Sequence, residues 1–387
     1  MGFQPLVYQL DWTTSLLLSS SESRFFMHMF ITQTAPRLFP ASPELFLRRM
    51  IASALETPHL LYALLASACS HHGRLIKDPS LNSKASFLKF TNLSISGLRS
   101  VLCDRSTPLT AESVTTAMAL CTNDVCHGNM QTWRTHLHGV MRLFSVFLDD
   151  QPTPYTSDLY VQCLAKWFTT VDILARLSGL GNQCILTSPS ELLDRVFDRV
   201  DMHVNEICGY SLKLAPLLAR LSDLLCRCHS GFSATQDLAI EAQTLETELK
   251  CLTDCSAFVN ENFPGLQSTH LAFVHSTLLH THRRVQCLPR NHETVQTDIR
   301  NILSAIMSIP PFSSGNILIL WPIFSAGCEA DDGHDRELIY NRMGDMETLG
   351  MGSFTRARGL LTKYWASETT MPWDTYFANL GCELVLF

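Results

Sequence analysis

Apolar residues recur at helical spacing along almost the whole chain, and no convincing run alternates between apolar and polar side chains as a half-buried β-strand does. The stretch 132–148 illustrates the pattern, because Trp133, Leu137, Val140 and Phe144 follow one another at spacings of three and four. Comparable stripes occupy 164–174, 214–225, 237–252, 269–285 and 295–309. Since this periodicity matches the helical repeat, the sequence predicts an all-α fold.

The breaks between the stripes are short, and their length is usual for loops between packed helices. They fall at 177–184, 229–237, 259–265 and 287–293. With no long low-complexity linker, the sequence predicts one large irregular multi-helix domain of about ten to fourteen helices at 41–387. A partly ordered N-terminal arm at 1–40 is predicted to precede it. A division into two domains within 229–265 is the alternative that the length also allows.

One helix has a recognisable start. Thr57 is a residue type that caps helices, and Pro58 fits the first helical position, where a missing N–H costs nothing. Leu61, Leu64 and Leu65 then fall on one face. The sequence therefore predicts a helix that begins at this point and packs into the core.

Charge and hydropathy exclude several classes of protein. The formal net charge of −7 argues against a free-standing DNA-binding domain, because affinity for duplex DNA depends largely on Lys and Arg. Charged residues make up 17% of the chain, below the usual share, which favours a surface partly covered by a partner. The chain contains no run of about 18 apolar residues, so no membrane span is predicted. The N-terminus lacks the features of a signal peptide, so the predicted compartment is the cytosol or the nucleus.

Four histidines close together are the first candidates for a metal site: His270, His275, His280 and His282. On a helix, two ligands of one zinc ion stand three or four residues apart, and no pair here has that spacing. The cysteines form no CxxC pair. The sequence therefore predicts neither a bound metal nor another cofactor.

Motifs for nucleophilic catalysis and nucleotide binding are incomplete. The stretches 209–213 ("GYSLK") and 350–354 ("GMGSF") lack the second glycine of a GxSxG elbow and the strand that precedes it. The chain has no P-loop and no complete dinucleotide-binding fingerprint. No catalytic residue is predicted from these motifs.

The acidic stretch 331–335 ("DDGHD") is the strongest sign of an enzyme, because it matches the DDxxD pattern with which helical terpene cyclases hold magnesium. The stretch 123–131 resembles their second metal motif, but His127 and Gln131 stand where magnesium prefers a hydroxyl or a carboxylate. The order of the two motifs is reversed, and Gly333 interrupts the helix that the aspartates would share. A magnesium-dependent helical enzyme is kept as the alternative function. Its metal ligands would be Asp331, Asp332 and Asp335.

The residues before these aspartates favour a structural interpretation. Pro322 suits the start of a helix, and Ile323 and Phe324 would face the core. Gly327 would allow close contact with another helix. The aspartates are then the polar end of this helix, with Gly333 breaking it and the next helix opening at 335–336.

Several segments carry distinctive combinations of residues. The stretch 132–144 contains Trp133, His136, Leu137 and Gly139 in a Trp-x-x-His-Leu-x-Gly arrangement. The stretch 163–179 contains Trp167, Phe168 and Asp172, the stretch 278–289 ends in a basic pair and a Leu-Pro turn, and the stretch 320–339 reads "LWPIFSAGCEADDGHDRELI". Similar segments lie at 59–74, 206–224, 346–365 and 373–387.

This ordered set resembles the fungal-specific transcription factor domain, the helical regulatory region that usually follows a binuclear zinc-cluster module in fungal activators. The resemblance covers nearly the whole chain. It implies a non-enzymatic transcriptional regulator or co-regulator in the nucleus that acts through protein contacts. The implied partners are a zinc-cluster transcription factor or the transcription machinery, and a homodimer is a further option.

The resemblance also implies more specific options. One is the control of a metabolic or secondary-metabolite gene cluster, and another is a small apolar ligand in the helical core. No ligand-binding residue follows from the sequence. Family members usually carry six cysteines near the N-terminus in a zinc cluster that binds DNA, whereas the first cysteine here is Cys69. Either the module was lost or the chain is truncated, so no residue present predicts direct DNA binding.

Overall fold

A computed structural model describes residues 16–77, 81–104, 106–127, 132–149, 158–179, 204–229, 236–253, 265–382 and 384–386. These residues are mostly helical, and the one pairing of extended backbone among them is an isolated bridge between Val204 and Ser211. The all-α prediction is confirmed, with slightly more helices than the predicted number. The predicted breaks at 177–184, 229–237 and 259–265 lie partly or largely outside the described residues.

Packing divides the chain into two compact units. The first comprises Met1–Ala165 and Thr348–Ser353, and the second comprises Lys166–Glu347 and Phe354–Phe387. The predicted domain boundaries, at residue 40 and alternatively within 229–265, stay predictions.

The first unit includes the helix predicted to begin at Pro58 and the helix predicted from the stripe at 132–148, together with others that no stripe predicted. They are α1 (Ser21–Met29), α2 (Ala35–Leu38), α3 (Glu44–Glu56), α4 (Pro58–Leu75), α5 (Leu81–Cys103), α6 (Ala111–His127) and α7 (Trp133–Asp149). A π-helical segment, Phe30–Thr34, joins α1 to α2. Helix α8 (Leu159–Leu177) contains residues of both units.

Helix α4 lies at the centre of the first unit, packed against α1, α3, α5 and α6. It begins at Pro58 after Thr57, as predicted, although the Thr57 side chain makes no capping hydrogen bond. Polar side chains on this helix are buried and paired: His59 Nδ1 lies 2.8 Å from Thr116 Oγ1, and Ser67 donates to the carbonyl of Ala63. These bonds offset the cost of burying polar groups, so the helix can be covered on several sides.

The second unit contains the remaining helices. They are α9 (Leu214–His229), α10 (Gln236–Thr253), α11 (Leu266–His280), α12 (Glu293–Met307), α13 (Leu320–Glu329), α14 (Gly333–Glu347), α15 (Gly352–Ala366, which starts within the first unit) and α16 (Trp373–Asn379). The π-helical segment Thr281–Val285 continues α11. Helix α11 packs against α10, α12 and α13. The helix predicted at this position is confirmed, but the apolar stripe is not its only buried face, because α11 is buried on nearly every side, including Thr269, Ser276 and Thr277.

Helix α13 matches its predicted structural role. Pro322 lies in its first turn, and Ile323, Phe324 and Ala326 are buried. A Cβ atom added at Gly327 would lie 2.6 Å from Leu361 Cδ2, so the absence of a side chain lets α13 and α15 approach closely.

The end of α13 differs from the prediction in one detail. Gly333 does not break a helix but is the first residue of α14. The reason is that Asp332 Oδ1 accepts a hydrogen bond from the backbone N–H of His334, at 3.0 Å, and so caps the new helix. Among the described residues, no helix has the length and apolar character needed to cross a membrane.

Candidate functional site

The predicted magnesium ligands do not assemble into a metal site. Asp332 caps α14, as described above, while Asp331 faces Arg290 and Arg336 at 3.5 and 3.8 Å. Asp335 lies in the first turn of α14. Within the part of the chain that the structure describes, no three His, Cys, Asp or Glu side chains are grouped as metal ligands would be. The alternative of a magnesium-dependent enzyme therefore gains no support.

The residues of the proposed second metal motif are also engaged elsewhere. Asn123 donates to the carbonyl of Ala63 at 3.0 Å, and the His127 ring stacks on Phe87 with centroids 4.1 Å apart. Gln131 lies outside the described residues. These contacts are interactions of the helix core of the first unit.

Three of the four histidines at 270–282 have separate hydrogen-bond partners, with His270 Nδ1 accepting from the backbone N–H of Ser211 at 3.3 Å, while His275 Nδ1 has none among the described residues. His280 Nε2 lies 2.9 Å from Ser325 Oγ, and His282 Nδ1 lies 2.6 Å from Asp298 Oδ2. Burial alone lowers the pKa of His282, but Asp298 and Glu246 raise it above its usual value. These contacts make those three histidines part of the buried polar network of the second unit.

The aspartate-rich turn instead forms part of a pocket in the second unit. The pocket has a volume of about 560 Å³, which is within the range of small-molecule sites. Seven of its lining residues carry charge or an aromatic ring and define its chemistry: Arg283, Arg290, Asp331, Arg336, Tyr364, Trp365 and Glu368. We call this the arginine pocket.

A buried glutamate holds two of the arginines in place. Glu329, at the end of α13, accepts hydrogen bonds on its Oε2 from Arg283 Nε at 2.7 Å and from Arg290 Nε at 3.2 Å. Its side chain is 5% exposed. Burial lowers the pKa of Arg290, but the charge of Glu329 more than offsets this, so the pKa lies above its ordinary value. The same carboxylate therefore holds both guanidinium groups in place.

Replacing Glu329 by Gln is expected to lower the free energy of unfolding by about 1.5–3 kcal/mol. The reason is that the acceptor of the hydrogen bonds from Arg283 and Arg290 would no longer carry a negative charge. Urea denaturation followed by circular dichroism measures the change. The matched control is Glu248→Gln, which removes the same charge from a half-exposed pair with Arg220. That loss is expected to stay below about 1 kcal/mol. Equal losses in the two variants would contradict the role given to Glu329.

Two aromatic side chains form another wall of the arginine pocket. Tyr364 accepts a hydrogen bond from Arg290 Nη2 at 2.6 Å and donates one to the carbonyl of Met371 at 2.7 Å. Trp365 Nε1 donates to the carbonyl of Gly327 at 2.8 Å. Because each ring is held by its polar atom, the flat faces of the wall are preorganised.

The backbone at the rim of the pocket is in a conformation that side chains disfavour. Glu368 lines the pocket just after α15 and has φ of 48°, in the left-handed region where glycine is usual. Such a conformation costs a non-glycine residue about 1–2 kcal/mol. Strained residues cluster at functional sites, so Glu368 marks this rim as a candidate.

Replacing Glu368 by Gly is expected to raise the free energy of unfolding by up to about 1 kcal/mol, since relief of strain exceeds the added chain entropy of the unfolded state. Thermal unfolding measures the gain. Glu368→Ala removes the same carboxylate but keeps the Cβ, so it should give no gain. A stabilised Ala variant would show that charge, and not backbone strain, is the cause.

Three of the segments quoted in the sequence analysis meet at this pocket. The basic pair of 278–289 contributes Arg283, and the Leu-Pro turn that follows leads to Arg290. The stretch 320–339 contributes Asp331 and Arg336. The stretch 346–365 ends in the two aromatic residues of the wall. Asp331 was considered only as a magnesium ligand, and no other pocket residue was predicted as part of a site, because the segments are far apart in sequence. The distinctive residue combinations of these segments were the only sign in the sequence that they could share a site.

One comparison with known proteins supports the family resemblance that these segments carry. The model of the fungal-specific transcription factor domain family matches residues 24–387. No curated protein and no solved structure matches the chain. Since the family model spans nearly the whole chain, including every helix that forms the arginine pocket, the chain belongs to the fungal-specific transcription factor domain family.

Proposed function

We propose that this protein regulates transcription in the nucleus through contacts with other proteins and without catalysing a reaction. The observation that carries the proposal is the match of a transcription factor domain to residues 24–387. The low share of charged residues, 17%, is consistent with surfaces that partner proteins cover. Zinc-cluster transcription factors, the transcription machinery and a second copy of the chain are the proposed partners.

We further propose that a small molecule controls this regulatory activity. The arginine pocket supports this, because it combines fixed charged groups with an aromatic wall in a volume suited to a metabolite. A regulator that responds to a metabolite is suited to control the genes that make or consume that metabolite. A metabolic or secondary-metabolite gene cluster is therefore the proposed target. An apolar ligand in the helical core, expected from the family resemblance, stays a prediction.

Transcript profiling of a deletion strain tests the regulatory function. Loss of the gene is expected to change the expression of a defined set of metabolic genes, and reintroducing the wild-type gene should restore them. A fluorescent fusion should accumulate in the nucleus. An unchanged transcriptome would contradict regulation. Magnesium-dependent turnover of a prenyl diphosphate, lost on replacing Asp331, Asp332 and Asp335 by Asn, would favour the enzyme instead.

A further inference from the structure

Arginine side chains supply most of the hydrogen-bond donors of the arginine pocket. Three guanidinium groups and two carboxylates line it, those of Asp331 and Glu368, which leaves one net positive charge. The buried Glu329 carboxylate lies behind the lining and is already bonded to Arg283 and Arg290. With Glu329 included the formal charges balance, so a ligand that enters the pocket meets guanidinium groups that a buried carboxylate holds in place.

Several nitrogen atoms of these arginines have no acceptor among the described residues. The Nε atoms of Arg283 and Arg290 bond to Glu329, and one terminal nitrogen of each donates to Leu288 or Tyr364. Arg336 donates through Nε to the carbonyl of Ala330. Arg290 Nη1 and the terminal nitrogens of Arg336 remain as charged donors, the groups that form strong hydrogen bonds to a carboxylate.

Asp331 is a weak internal competitor for these donors. Its Oδ1 lies 3.5 Å from Arg290 Nη1 and 3.8 Å from Arg336 Nη2, longer than the roughly 2.7–2.9 Å of a charge-assisted hydrogen bond. The Asp331 side chain is 50% exposed. A pair this loose and this exposed contributes little, because solvent screens it. A carboxylate with better geometry can therefore displace it.

The aromatic wall selects for more than charge. Trp365 and Tyr364 line the same cavity, and the Arg336 guanidinium lies 5.7 Å from the centre of the Trp365 ring. A bare inorganic anion would contact the arginines but not this wall. A molecule with a planar apolar part next to its charge would contact both, and burial of that part adds affinity.

We infer that the arginine pocket binds a small organic acid, with its carboxylate on Arg290 and Arg336 and its planar apolar part against Trp365 and Tyr364. This inference names the ligand class for the sensing function proposed above and rests on it. It differs from the purely apolar ligand that the family resemblance implies. Asp331 is the internal carboxylate that the ligand displaces.

Calorimetric titration of the full chain with 2-naphthoate, 2-naphthamide and inorganic phosphate tests the inference. 2-Naphthoate and 2-naphthamide have the same ring system, but only 2-naphthoate is charged. Inorganic phosphate is charged but has no ring. We expect 2-naphthoate to bind at least about tenfold more tightly than either of the other probes, since a charge-assisted contact and aromatic burial each contribute more than about 1.4 kcal/mol. Equal affinity for naphthoate and naphthamide, or for naphthoate and phosphate, would overturn it.

Two substitutions with opposite expected effects locate the site. Arg336→Gln should weaken naphthoate binding about tenfold or more, whereas Asp331→Asn should strengthen it severalfold, because the competing carboxylate is gone. Arg300→Gln makes the same charge change on the exposed face of α12 and should leave binding unchanged. Since Asp331 is exposed, its variant is expected to fold, and weaker binding in that variant would refute the assignment.

The failure of this inference is distinguishable from failure of the proposed function. Binding is measured on the purified chain, whereas regulation is measured as transcript levels in the deletion strain. Altered transcripts together with no naphthoate binding would refute the ligand class and leave regulation standing. Unchanged transcripts would refute regulation whatever the chain binds.

Discussion

Replacing Trp321 by Ala is expected to lower the free energy of unfolding of the second unit by about 3–5 kcal/mol, the usual cost of removing a large buried aromatic side chain. Trp321 is fully buried in α13. Its ring stacks between Phe273 and His280, with centroids 5.6 and 5.1 Å away. Both neighbours belong to α11, so the substitution opens a cavity between the two central helices. Urea denaturation followed by circular dichroism measures the loss.

Two controls separate packing from other effects at Trp321. Its indole N–H has no hydrogen-bond partner among the described residues, so Trp321→Phe loses ring area but no hydrogen bond. That variant should lose clearly less stability than Trp321→Ala. Phe312 is 74% exposed, and Phe312→Ala should change stability by no more than about 0.5 kcal/mol. A Trp321→Ala variant as stable as the Phe312→Ala variant would contradict the packing of α13 on α11.

Replacing Asp374 by Asn is expected to cost about 3–5 kcal/mol, because it leaves a buried guanidinium without its counterion. The Asp374 side chain is fully buried at the start of α16. It pairs with Arg284, accepts a hydrogen bond from the backbone N–H of Thr375 at 2.7 Å, and lies 3.3 Å from His229 Nε2. The Arg284 side chain is only 8% exposed. Chemical denaturation at neutral pH measures the loss.

The same substitution is expected to change how stability depends on pH. Burial alone raises the pKa of Asp374, but His229 and Arg284 hold it well below its usual value. A carboxyl group with a depressed pKa stabilises the folded state above its unfolded-state pKa of about 3.9 and loses this contribution as the pH falls below that value. The wild-type chain should therefore lose stability more steeply in acid than Asp374→Asn does.

The matched control is Asp158→Asn, which makes the same change in an Asp–Arg pair. Asp158 pairs with Arg49 at 2.7 Å, but both side chains are well exposed, at 39% and 47%. The expected loss is at most about 1 kcal/mol, because solvent screens the pair. A loss as large as that of Asp374→Asn would show that burial does not set the cost.

The helices of this protein could be predicted closely because the signal is local. Each apolar stripe needs only the residues within a few helical turns, and the stripe at 132–148 corresponds to α7, Trp133–Asp149. The start of α4 at Pro58 follows from one dipeptide. Helix α11 was predicted less well, since burial on nearly every face removes the amphipathic contrast on which the prediction depends.

The role of the aspartates could be predicted only in part. The turn after α13 was expected, but not that Asp332 would cap α14 while Asp331 faces two arginines. A side chain's direction is set by the packing of the elements that carry it. Arg290 lies 41 positions before Asp331, so no local pattern could have joined them.

The sequence by itself determined the helical class, most helix positions and the family, because these depend on local periodicity and on the order of short motifs. Only the tertiary structure decided that the basic turn, the end of α13 and the end of α15 meet at one cavity. The physical reason is that charge pairs and aromatic walls form between residues far apart in the chain. Their spacing is fixed by the packing of α11, α13 and α15 and not by any stretch of sequence.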